Sequence, residues 1–253
     1  MSRFKLLSEP ASNAKLRKSL GYGYLPFGLS LAPHVLSGHN VCPQSTLQCR
    51  ADCVATAGMA QVFQSIMRAR IEKTQQLFAD RSQFLADLYV DVCRAYDAAC
   101  RQGAKLALRL NTFSDLEWRK SISHEGTGWT IFDRLEEIAP PGEIVVYDYT
   151  KVTRRATREI HHHSKIPWNL VYSRSEKNEE QCLDHLAIGG KVSVVFACRK
   201  HGLPTSWKGF PVVDGDIHDL HFLHPAGCVI GLAAKGSARG KTNGFIVGVN
   251  NVD

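Results

Sequence analysis

No apolar run in this chain of 253 residues approaches the length of a membrane span, so no membrane partner is expected. The polar, basic start, with Lys5, Lys15, Arg17 and Lys18, is followed by no apolar core and does not read as a secretory leader. Internal repeats, low-complexity tracts and linkers are missing too. A single domain over residues 1–253 is therefore expected, with 1–40 as an irregular lead-in and 41–253 as the core. Hydrophobic residues make up 44% of the chain, enough to bury a full core, which excludes bulk disorder.

Acidic residues are in deficit. Asp and Glu number 24 against 31 Lys and Arg, a net charge of +7, which favours a polyanionic partner such as nucleic acid. Residues 151–165 carry Lys151, Arg154, Arg155, Arg158 and Lys165 against Glu159, together with His161, His162 and His163. Such a strip either tracks phosphates or is a solvated basic loop. Familiar ion and phosphate motifs are absent. The basic, glycine-rich stretch Lys235–Lys241 lacks the Gly-Lys-Ser/Thr of a P-loop. Asp214, Asp216 and Asp219 lack EF-hand spacing and predict a tight turn, with Gly215 at positive φ.

What the chain does have is cysteine in one place. Of its eight, Cys42, Cys49 and Cys53 fall in NVCPQSTLQCRADCVATAG, spaced C-x6-C-x3-C. Thiolates are soft ligands, and three on one segment can converge on a metal centre. Structural zinc takes four protein ligands, and an electron-transfer cubane takes four cysteines. Three would leave one iron of a [4Fe–4S] cluster open. Zinc completed by His39 or His34 is the alternative, and a metal-free cluster of thiols is the plain one. Cys93, Cys100, Cys182, Cys198 and Cys228 are scattered in apolar stretches and predict core packing. Eight thiols without a leader point to a reducing cytoplasm.

Beyond the cysteines, Val62, Ile66, Met67, Ile71 and Leu77 recur at helical spacing. A helix-like run begins near Ala57. A second helix is predicted from a cap near Asp80 or Ser82 to Gly103, burying Phe84, Leu85, Leu88, Val92 and Tyr96. Strand-like runs then alternate with helical ones. Strands are expected at 106–110, 144–147, 168–172 and 192–197, with shorter ones near Val212, at 228–232 and at 245–249. Helices are expected at 131–138, after Thr130, and at 178–186, and one strand is expected in the lead-in at 29–31. This alternation predicts an α/β fold with a mostly parallel sheet.

Polar residues follow the predicted strands directly. Arg109, Asn111, Ser114 and Asp115 follow one, and Asp148 and Lys151 another. Ser173, Arg174, Ser175 and Glu176 follow a third, and Arg199, Lys200 and His201 a fourth. In barrel-like α/β folds active sites gather at these carboxyl ends. Each residue singly is equally a turn or helix cap, for which Asp115 and Ser175 are well suited.

The linked signatures ALRLNTFSD, VVYDYTK, NLVYSRSE, VSVVF, VVDGDIHDL and VIGLAAKG, after the cysteine loop and two helices, resemble a phage family labelled the gene 88 product. The layout is also similar to a compact radical S-adenosylmethionine (SAM) fold, although such enzymes typically carry C-x3-C-x2-C. That likeness implies a partial (β/α) barrel with a [4Fe–4S] cluster on Cys42, Cys49 and Cys53. It implies SAM on the open iron, cleaved by a reduced cluster to a 5′-deoxyadenosyl radical. Arg109, Asn111, Ser114, Asp115 and Ser173 would hold SAM, and Asp148, Lys151, Arg174 and Glu176 the substrate. An electron donor would be a partner. The expected substrate is a nucleotide or modified base in phage DNA, with isomerisation of an amino-acid-modified thymidine as a suitable step, in the host cytoplasm. The alternative is a zinc-stabilised nucleic-acid-binding protein without catalysis.

Overall fold

The structure, a computed structural model, describes residues 5–12, 14–56, 63–199 and 202–249. The chain enters through β1 (Leu7–Ser8), α1 (Ala14–Arg17) and β2 (Tyr24–Leu29). Short α2 (Leu47–Ala51) precedes two long helices, α3 (Gln64–Ala79) and α4 (Arg81–Arg101). Then come β3 (Lys105–Arg109), α5 (Ile131–Ile138), β4 (Ile144–Thr150), α6 (Thr153–His161) and β5 (Trp168–Ser173). The last part holds α7 (Glu179–Ala187), β6 (Lys191–Phe196), β7 (Ser206–Trp207), β8 (Phe210–Asp214), β9 (Val229–Ala233) and β10 (Ile246–Val247).

The class is mixed α/β, and the strand pairing is mostly parallel and open, with no closed barrel. Two compact units share the chain. The first takes in the described parts of Met1–Pro43, Ser65–Asp148 and His163–Trp168; the second takes in those of Gln44–Gln64, Tyr149–His162 and Asn169–Asp253. In the first, β2, β3 and β4 run parallel and β1 adds an antiparallel edge. In the second, β6 pairs in parallel with β5, β9 and β10, and β8 continues in parallel beyond β9. A short antiparallel β7 closes that edge.

Local signals explain most elements. Asp80 caps α4 by accepting from Gln83 N–H at 2.9 Å, and Thr130 with Asp133 makes a reciprocal capping box on α5. The buried stripe of α4 is Phe84, Leu85, Leu88, Val92, Ala95 and Ala99, joined by Asp91. Tyr96, predicted in the core, sits one position beside it and is half-buried. Cys93 and Cys100 fall off that stripe too. Cys93 is half-buried and Cys100 exposed, so core packing holds for Cys182 and Cys228 but not for Cys100.

Two elements depart from expectation for clear reasons. The lead-in contains β2 at Tyr24–Leu29, earlier than the strand expected at 29–31, because Pro26 and Gly28 disguise it. Gly23 and Leu29 direct their carbonyls at Lys105 and Thr112, so odd positions face β3 and Pro26 faces outward. There β1 pairs only at Gly28 and Leu29, so the absent N–H of Pro26 costs no ladder bond. The second is α6, whose sequence TRRATREIH has no apolar stripe to announce it. The helix-like run expected to begin near Ala57 starts outside the described residues, which resume at 63.

Candidate functional site

In the first unit β2, β3 and β4 are parallel, so their carboxyl ends lie along one edge. From β2 the chain runs to His34, which adopts φ 43, a left-handed conformation unusual outside glycine. That turn sends the chain back on itself: Val41 N–H reaches His34 O at 3.0 Å and His34 N–H reaches Cys42 Sγ at 3.3 Å. The loop after β3 joins it. Cys42 Sγ donates to Phe113 O at 3.5 Å, and Asp115 N–H to Val41 O at 2.7 Å. Cys42 is thus laced to the loop that carries Asn111, Ser114 and Asp115.

That loop is organised by Asn111. Its Oδ1 accepts from Ser114 Oγ at 2.8 Å and from Leu116 N–H and Trp118 Nε1–H at 3.0 Å each. Its Nδ2 donates to Leu116 O at 3.0 Å. The backbone of Asn111 is held in turn by Asp148, whose carboxylate takes Asn111 N–H at 2.7 Å and Trp168 Nε1–H at 3.0 Å. Asp148 is 0% exposed, with Arg109 Nε 4.0 Å away. Burial pushes the Asp148 carboxyl up to about 7, against the pull of the Arg109 guanidinium and the two N–H donors.

In the second unit the carboxyl ends of β5 and β9 lead to the segment bearing Cys49 and Cys53. Thr46 caps α2 by accepting from Cys49 N–H at 3.2 Å, and its hydroxyl donates to Glu176 Oε2 at 2.9 Å. Glu176 Oε1 is enclosed and has no hydrogen-bond partner. Cys49 packs against Ala234, Ala238, Phe245 and Ile246, which flank the loop between β9 and β10. Beside them Lys151 Nζ donates to Ser173 Oγ at 2.6 Å and lies 5.3 Å from the centre of the Phe245 ring. Arg174 is nearly buried; it binds Glu179 Oε2 through Nη2 at 2.6 Å and donates to the carbonyls of Gly244 and Phe245.

A family model described as Gene product 88 matches residues 5–248. The chain belongs to the gene product 88 family. No curated protein and no solved structure matches it. The boundary between the two units falls at Pro43 and Gln44, inside the cysteine motif of this family member. Cys42, Cys49 and Cys53 are all partly exposed. Among the described residues no group of three or more His, Cys, Asp or Glu side chains is already gathered as a metal site. The donor chemistry nonetheless fits an iron–sulfur cluster, since thiolates are its usual protein ligands. Beside the cysteine helix, the enclosed Oε1 of Glu176 has no hydrogen-bond partner in the structure.

Other sequence-marked groups do not join this arrangement. The middle of the basic strip is helical: Arg155 on α6 is buried, and Arg158 pairs with Glu159 at 2.6 Å. Arg155 is therefore unavailable to phosphate. Lys165 donates to the Glu136 carbonyl. Gly215 is not among the positive-φ glycines; it is required because a Cβ would lie 2.4 Å from Ile230 Cγ2. Lys200 and His201 lie outside the described residues. The sequence reading missed Asp52, Lys241 and Asn243. Asp52 lies between two of the clustered cysteines, and that alone was the available signal.

Proposed function

We propose that this gene product 88 family member is a radical-SAM-like [4Fe–4S] enzyme acting on a nucleotide or a modified base of phage DNA. Isomerisation of an amino-acid-modified thymidine is the reaction we favour, and the host cytoplasm, with an electron donor, is the setting. One observation carries the reading. In each unit the part of the cysteine motif that it contains is tied to loops leaving the carboxyl ends of parallel strands. Open and closed α/β sheets alike bind ligands at the carboxyl ends of their parallel strands.

Cys42, Cys49 and Cys53 would hold the cluster, which with bound SAM supplies the radical chemistry. The chain's own residues divide by their exposure and by the partners they hold. Lys151 and Ser173 are partly exposed and point their polar groups at one another, and Glu176 keeps one oxygen uncommitted. These three are the ligand contacts. Asn111, Ser114 and Asp148 are committed to the loop that carries Cys42, and Arg174 to the loop of Gly244 and Phe245, so they position rather than touch. Arg109 and Asp115 flank Asp148 and the Cys42 loop and belong with them.

The test is anaerobic purification and reconstitution with iron and sulfide, followed by metal analysis and an assay of reductive SAM cleavage. Brown protein with stoichiometric iron and sulfide is expected. Cys42→Ala, Cys49→Ala and Cys53→Ala should each lose the iron, while Cys93→Ala and Cys100→Ala keep it. Colourless protein holding one zinc, or equal iron loss from all five variants, would sink the proposal.

A further inference from the structure

Asp52 stands between Cys49 and Cys53, and its side chain is 0% exposed. A carboxylate enclosed so completely must be compensated, and two residues from the far end of the chain do so. Lys241 Nζ donates to Oδ1 at 2.5 Å and Asn243 Nδ2 to Oδ2 at 2.7 Å. Asn243 is itself anchored, since its Oδ1 accepts Ile246 N–H at 3.2 Å at the start of β10. One step away, Ser237 Oγ reaches the Ala51 carbonyl at 3.3 Å. On the helix side, Asp52 ends α2, and its N–H bonds back to Gln48 O at 2.9 Å.

The result is a bridge from the sheet, through Asn243, to the residue flanked by both cysteines. We infer that Asp52, Lys241 and Asn243 form a clasp that holds Cys49 and Cys53 in place against the loop between β9 and β10. Its relevance to a metal centre rests on the reading of these cysteines as ligands. Removing the Asp52 carboxylate would lose both charge-assisted bonds. Asp52, Lys241 and Asn243 are positioning residues, with no part in touching substrate.

The experiment uses the full chain, metal-free and reduced, and follows iodoacetamide alkylation of each cysteine by peptide mass spectrometry. Asp52→Ala should raise the rates at Cys49 and Cys53 by roughly tenfold, through more frequent opening of the segment, with Cys93 unchanged. Lys241→Ala removes a largely exposed side chain, keeps the fold, and should act in the same direction; Lys241→Arg should restore the slow rate. In parallel, both alanine variants should retain less iron after reconstitution and gel filtration than the parent protein. Alkylation at the parent rate in both alanine variants overturns the clasp. Fast alkylation in the variants of a parent protein that takes up no iron upholds the clasp and removes the metal reading instead.

Discussion

The two units use similar residues after their strands to different ends. In the first, the polar groups after β3 turn inward, as does Asp148 within β4. Asn111 spends its whole amide on residues 114–118, and Asp148 is sealed behind it. In the second, Lys151 after β4 and the groups after β5 reach other segments. Glu176 meets Thr46, Arg174 meets Gly244, and Lys151 stays partly exposed beside Phe245. The first unit thus has a set loop, whereas the second leaves Glu176 Oε1 enclosed without a hydrogen-bond partner. A polar residue at a strand end is a candidate in either case. Whether its hydrogen bonds are already spent decides what it can do.

The largest effect expected from this contrast is on stability in the first unit. Asp148→Ala leaves the Asn111 N–H and the Trp168 indole N–H buried without acceptors and should cost about 3 kcal/mol. Urea unfolding measures it, and a loss below about 1 kcal/mol would mean that Asp148 is not the buried support described.

In the second unit, acid should act through His185. His185 is nearly buried, both ring nitrogens lack partners, and burial holds it down to about 4 against an ordinary 6.5. Between those values the unfolded chain takes up a proton that the folded chain refuses. The His185 contribution to stability is complete above pH 6.5 and is lost towards pH 4, by up to about 1.4 kcal/mol per pH unit. His224 shifts in the same direction, so the measurement is the difference between the parent protein and His185→Phe. Parallel pH profiles for the two would show that His185 is solvated.

The smallest effect on stability, and the one that sharpens the comparison most, is expected for Ser173→Ala and Glu176→Gln. Both residues are partly exposed, and each change should move stability by less than about 0.5 kcal/mol. Binding of SAM or a nucleotide, followed by calorimetry, should weaken in both. Unchanged binding would place these residues with Asn111, as parts of a loop.

Much of the frame was legible in the sequence. The capping groups Asp80 and Thr130 lie within three residues of the donors they satisfy, and the apolar stripe of α4 repeats within its own length. Where burial overrode local preference the reading failed. Pro26 and Gly28 sit inside β2, tolerated because one side of that strand is nearly unpartnered. The arginine-rich α6 buries Arg155, which a charge count assigns to solvent. Its basic run was legible, but its direction was not.

The sequence by itself determined the α/β class, the family, the order of the strands along the chain and the spacing of the three cysteines. Those depend on periodicities and caps that act over a few residues, or on linked motifs. The tertiary structure alone decided which strand-end groups were spent and which were left. It also decided that Asp52 answers to Lys241 and Asn243, 189 and 191 residues away. A buried polar atom must find a partner wherever the fold brings one, and nothing in the local sequence names that partner.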